Sequence, residues 1–169
     1  MKTKKFILLA LLIVPFTNHL KAQDMDKIAS CAGVVVGNAS VDYILGDKQA
    51  FNDAINVAYY AYLPSVMGVS AMLSYSNEER QFTEKILSSN IDKIIIAYNN
   101  GNYDSNVYEE VIGCYRMLGT VLLKPEIQAD IEISKDLYDE MIAKTSSNLR
   151  RVFDAVSYTH LTLPTTSKV

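Results

Sequence analysis

Between residues 24 and 154 the apolar side chains recur at three- and four-residue steps, the period of helices that bury one face. Asp24 or Asp26 can cap a first helix that reaches about Leu45, where Gly46 stands in position to close it. The middle of that segment, Cys31 to Gly37, is apolar or small on every side, as in a helix packed by neighbours all round. Val34–Val36, lying between glycines, would also suit a short strand; the surrounding pattern favours helix. Ala29, Gly33 and Gly37 fall four residues apart and form a small-residue stripe that permits another helix to approach closely.

A second helix is predicted from Asp47, with Phe51, Ile55, Ala58 and Tyr62 on one face. Pro64 should kink or break it, and Val66, Val69 and Leu73 carry the pattern onward. Ser76 and Glu79 form a capping box that opens a third helix through Phe82, Ile86, Leu87, Ile91, Ile94, Ile95 and Tyr98. Ser88–Asn90 is a candidate interruption of it, and Asn99-Asn100-Gly101 ends it. Asp104 or Ser105 caps a fourth helix with two apolar faces. One is Val107, Val111, Cys114, Leu118 and Val121, and the other Tyr108, Ile112, Tyr115 and Leu122. Only its Glu109, Arg116 and Thr120 side reads as wet, so this helix is expected to be largely buried. Pro125 suits the first turn of a fifth, running through Ile127, Ile131, Leu137, Met141, Leu149 and Val152. No internal repeat or long linker divides the segment. The expectation is an all-α single-domain bundle of five helices, the second kinked at Pro64 and the last cut short.

The two ends do not share this pattern. Lys2, Lys4 and Lys5 precede an eleven-residue apolar run, Phe6–Phe16, and Leu20-Lys21-Ala22 offers a cleavage site, so residues 1–22 read as a secretory signal leaving Gln23 first. Eleven residues are too few for a bilayer that needs about 20. Ile28–Cys31 has the residue types of a lipobox, but Lys21, Asp24, Asp26 and Lys27 separate it from the apolar run. Residues 156–169 break with everything before them: four threonines, no acid and no helical spacing. This stretch resembles the in-frame translation of a transposase sequencing adaptor, which also restricts position 155 to Ala, Ser, Pro or Thr; Ala155 complies. On that resemblance the encoded chain is seen only to Asp154, and residues 23–155 are the helical domain.

Composition matters once the ends are set aside. The chain has 169 residues and a formal charge of −3, but the segment 23–155 holds eleven basic residues against all 19 acidic ones, a charge of −8. Nucleic-acid binding lacks the basic stripe it requires and would oppose this charge, as would an anionic membrane surface. Both histidines, His19 and His160, lie outside the segment. His-based triads, His-ligated metals and His pH switches are therefore excluded from it, and no cofactor is implied. Glu-x-x-His motifs for a di-metal bundle are absent, and Asn99–Asp104 places its glycine third where a calcium loop needs it sixth.

Cys31 and Cys114 are the only cysteines. In an exported bacterial domain such a pair predicts a structural disulfide, the alternative being two buried thiols that pack as small hydrophobes. With no Cys-x-x-Cys, redox catalysis has no support. The remaining distinctive feature is tyrosine, ten of them in the segment, with Tyr59, Tyr60 and Tyr62 clustered before Pro64. An apolar ring with a polar tip suits interfaces and ligand pockets as well as half-buried cores. These four residues mark the expected binding surface.

The predicted function is therefore binding rather than catalysis: a periplasmic or secreted bacterial envelope domain that holds a protein partner, a small apolar ligand or a second copy of itself, without a membrane span after signal cleavage. A periplasmic holdase-type stress chaperone is the first alternative. A carboxylate-based envelope glycan hydrolase is the second, although its obvious acids, Glu78, Glu79, Glu109 and Glu110, sit in first turns where capping and the helix dipole favour them ionised.

Overall fold

A computed structural model describes residues 22–161. All but the last residue of the expected signal, and residues 162–169 of the Thr-rich tail, lie outside the described residues. Among those described there are six helices and no strand. They are α1 (Ala22–Ile44), α2 (Lys48–Met67), α3 (Val69–Ser74), α4 (Asn77–Asn99), α5 (Ser105–Leu122) and α6 (Pro125–Leu161). The α1 and α2 helices pack side by side at the centre. From there α4 lies along α1, α5 spans both, and α6 covers the far side of α2. No helix among the described residues is long and apolar enough to cross a membrane.

Local signals in the sequence set most of the boundaries. The Asp47 side chain accepts the Ala50 N–H at 2.9 Å, and Asp104 accepts those of Asn106 and Val107. Ser76 and Glu79 exchange both bonds of the capping box. Gly46 (φ +95°) and Gly101 (φ +71°) occupy the left-handed conformation that L-residues with a Cβ adopt only at a cost. At each, the paired backbone bonds of a Schellman turn close the preceding helix.

The centre of the fold is the contact of α1 with α4. Val34, Val35 and Val36 are all fully buried, so this part of α1 is enclosed on every side and is helix rather than strand. Gly33 and Gly37 of the small-residue stripe face α4, and the helices come so close there that no Cβ fits between them. A Cβ on Gly33 would stand 2.3 Å from the Leu87 carbonyl oxygen, and one on Gly37 would stand 2.7 Å from the Ile94 Cβ. Leu87 and Ile94 fill the space on either side.

The structure departs from five expectations. There are six helices, not five, because Gly68 takes an extended conformation (φ −61°, ψ 159°) and separates α3 from α2. Helix α2 runs through Pro64 to Met67, so the break falls four residues after the proline. Pro64 forfeits one helical hydrogen bond, a cost of about 3 kcal/mol. Residues 58, 59 and 61–66 are all buried, and that packing outweighs the loss. The Ser65 hydroxyl also donates to the Ala61 carbonyl at 2.7 Å.

The third predicted helix is not interrupted at Ser88–Asn90. All three side chains donate back to carbonyls of the preceding turn, those of Lys85 and Ile86, and stay within the helix. The helix predicted to be largely buried, α5, buries one face only: Val111, Cys114, Leu118 and Val121. Of the second face, Tyr115 and Leu122 are half-buried against the core, and Tyr108 is 56% exposed. In α6, Leu137 was expected in the core, yet Tyr138 holds that place at 1% exposure and Leu137 is out. The inward face continues through Ile142, Ser146 and Phe153, while Ser134 departs from helical geometry (φ −111°, ψ 18°).

Cys31 and Cys114 meet across α1 and α5 with Cα atoms 4.7 Å apart and their sulfurs bonded. The cross-link joins residues 83 apart, and chain entropy assigns such a loop roughly 4–5 kcal/mol. The outer end of α6 is tied down by polar and aromatic contacts instead. Tyr43 donates to Asp154 at 2.9 Å, and the Arg150 guanidinium lies 5.4 Å from the Phe51 ring centre while donating to Asn52.

Two consequences can be measured. In urea denaturation, Gly33→Ala is expected to cost about 1–3 kcal/mol by forcing α4 away from α1. Gly113→Ala, on an open part of α5 where an added Cβ meets nothing within 4 Å, is expected to add roughly 0.5–1 kcal/mol. Reduction with dithiothreitol is expected to lower the urea midpoint by the equivalent of about 4 kcal/mol, and Cys31→Ser should match the reduced protein. A midpoint indifferent to reductant would mean that the two sulfurs are not joined.

Candidate functional site

Three helices that do not close on one another leave a cleft. Helix α4 follows α1, helix α6 follows α2, and the C-terminal half of α2 forms the floor between them. The cleft measures about 800 Å³, within the range of small-molecule sites. Tyr59, Tyr62, Leu63, Val66 and Met67 come from α2. Asn77, Arg80, Gln81, Glu84, Lys85, Leu87 and Ser88 come from α4, and Met141 and Thr145 from α6.

The tyrosines lining it are fixed from behind. Thr83 is fully buried and donates to the Arg80 carbonyl at 2.7 Å. Its oxygen therefore accepts from the Tyr62 hydroxyl, 3.2 Å away. Tyr59 packs edge-on against Tyr62 with ring centres 6.3 Å apart. Burial, with smaller contributions from Tyr62 and Glu84, pushes the Tyr59 hydroxyl up to about 12. Burial raises Tyr62 as well, against the lowering effect of its bond to Thr83. Both rings are thus neutral, amphipathic surfaces at physiological pH.

Arg80 differs from the other polar groups of the wall. One terminal nitrogen donates to Asn77 Oδ1, while Nε is buried and has no partner. No carboxylate among the described residues forms an ion pair with it; the two ion pairs there are Lys93–Glu110 and Lys135–Asp139.

The four residues expected to form one surface are divided. Tyr59 and Tyr62, three apart, share the cleft face of α2. Pro64 is buried in the helix and lines nothing. Tyr60 points a quarter-turn away into a shallower groove of about 310 Å³ with Val57, Leu122 and Ile131. There it donates to Asp139, which also pairs with Lys135 at 2.6 Å. Lys135 first, and then Tyr60, holds the Asp139 carboxyl below the usual carboxylate range.

The acids considered for catalysis occupy structural positions. Glu79 belongs to the capping box, Glu110 pairs with Lys93 at 2.7 Å, and Glu78 and Glu109 are exposed. The acids raised by burial are Asp42 and Asp130. Asp42 accepts from Asn38 at 2.9 Å, and Asn38 accepts from Tyr103, which ties the α4–α5 connection to α1. Asp130 accepts the Val69 N–H and so holds the start of α3. Among the described residues no group of three or more His, Cys, Asp or Glu could hold a metal ion.

The sequence reading missed Arg80, Lys85, Met141 and Thr145. No local pattern marks them, because the cleft draws on three helices whose spacing along the chain carries no information about their separation in space. Compared with protein-family models, curated proteins and solved structures, the chain gives no match.

The buried phenol supports a pH prediction. Tyr59 has an ordinary pKa near 10 in the unfolded chain and about 12 in the fold, so its neutral form favours the folded state. That contribution is complete below pH 10 and is lost as pH rises towards 12, a change on the order of 2–3 kcal/mol. The urea midpoint should therefore fall between pH 10 and 12, and Tyr59→Phe should flatten part of that fall. A wild-type midpoint constant over this window would contradict it.

Proposed function

We propose that this protein is a small exported domain of the bacterial envelope that acts by binding, without catalysis, and that the α2/α4/α6 cleft is where it binds. The observation that carries this reading is an apolar-floored cleft of about 800 Å³ whose walls hold two restrained tyrosine rings. Sites for small molecules combine apolar concave surface with placed polar groups, and here an apolar and aromatic floor from α2 meets a largely polar wall from α4. Met67 and Met141, at the mouth and on the α6 wall, adapt their shape at little cost. The secretory leader and the Cys31–Cys114 bond support a place in an oxidising compartment. Of the occupants anticipated from the sequence, a small ligand with apolar surface suits a concave, open cleft with an apolar floor better than a flat partner surface does.

A neutral apolar fluorophore tests it. N-phenyl-1-naphthylamine should brighten in the presence of the wild-type domain. Ser88→Trp, an exposed position on the cleft wall, should abolish the signal while leaving the helical circular dichroism unchanged. No brightening with wild type, or equal brightening in both proteins, would overturn the assignment.

A further inference from the structure

We infer that the ligand of this cleft is a free amphiphilic anion, an apolar chain ending in a carboxylate or a comparable acid group that Arg80 receives. The inference rests on the cleft being a binding site and adds the chemistry of what fills it.

The Arg80 guanidinium has no carboxylate partner among the described residues. Arg80 lies in the wall with Nε buried and without a partner, and its side chain bonds only Asn77. A buried donor left unsatisfied is costly, and more so when charged. Nineteen acids surround eleven bases in residues 23–155, yet none pairs with this one. The acceptor that a planar guanidinium fork fits best is a carboxylate or phosphate oxygen pair, and the protein supplies none there.

The rest of the lining agrees with this chemistry. Lys85 adds a second positive charge, and Glu84 is the one acid in the wall. The charged groups of the lining therefore leave one net positive charge, on a domain that is otherwise strongly negative. Such a contrast draws an anion to this cleft and repels it elsewhere. Beside the charged wall, Leu63, Val66 and Leu87 supply an apolar bed that can receive a hydrocarbon body but offers little to a small polar anion. The two features together select a molecule with a charged head and an apolar body. The net charge of −8 disfavours an anionic bilayer as the source of that head, so the amphiphile is bound as a single molecule.

Displacement of the neutral fluorophore reads this directly. Decanoate should displace it from wild type at least tenfold more effectively than decanol of the same chain length. Arg80→Gln should remove that preference while still binding the fluorophore, and Arg80→Lys, which keeps the charge but not the fork, should retain only part of it. Lys135→Gln, outside the cleft, should retain all of it. Equal displacement by acid and alcohol in wild type would overturn the anionic ligand and leave the cleft standing as a binding site. Failure of the fluorophore to bind wild type would remove both. Arg80-dependent co-sedimentation with phosphatidylglycerol vesicles would overturn the free amphiphile by placing the acid group on a lipid surface.

Discussion

The close approach of α4 to α1 is the contact on which the rest of the structure depends. Two glycines one turn apart let the α4 backbone come within van der Waals reach of the α1 backbone, leaving no room for a Cβ. Close packing of this kind maximises dispersion contacts per residue and fixes the angle and depth at which the helices cross. Once α4 is held against α1, it cannot also close over α2. The face of α2 that α4 leaves open is shared with α6, and the space that neither helix fills becomes the cleft. A stripe of small residues at the centre thus determines an opening at the surface.

The restraints divide the work between covalent and non-covalent means. Helix α5 has one buried face, so packing alone holds it less firmly than α1 or α2. It is also the helix that carries Cys114, bonded to α1 through Cys31. Helix α6 reaches the other end of the bundle and is anchored by Tyr43, Arg150 and Phe153 around the aromatic ring of Phe51. The cleft itself lies among α2, α4 and α6, with Tyr62 braced from behind by Thr83. A site held by rigid helices needs little ordering when it is filled, which favours binding.

The polar groups of the domain fall into two kinds. Most are satisfied within the fold. Asn38, Asp42 and Tyr103 form one cluster, Tyr60, Lys135 and Asp139 another, and each cap meets its helix end. Two buried side-chain atoms among the described residues have no partner, the Tyr75 hydroxyl and Arg80 Nε, and of the two only Arg80 is charged and lines the cleft. Where nearly all buried polar groups are paired, this charged orphan is what the proposed ligand would complete.

The sequence by itself determined the all-helical class, the caps at Asp47, Ser76 and Asp104, the closing glycines Gly46 and Gly101, and the stripe at Ala29, Gly33 and Gly37. Each of these is a local matter: a side chain bonding its own helix end, a backbone angle, or a period along one face. Where the outcome hung on neighbours distant in the chain, the local signal failed. Pro64 allows a kink or a break, and packing on all sides carries the helix past it without a break. Leu137 looked more apolar than Tyr138, yet the surface of α2 took the tyrosine. Tyr59, Tyr60 and Tyr62 read as one cluster, but a helix turns about 100° per residue, which sends Tyr60 to a different groove. Tertiary structure alone brought Arg80 and Met141 to the same opening, because the distance between helices is set by what packs between them and leaves no trace in either helix's own sequence.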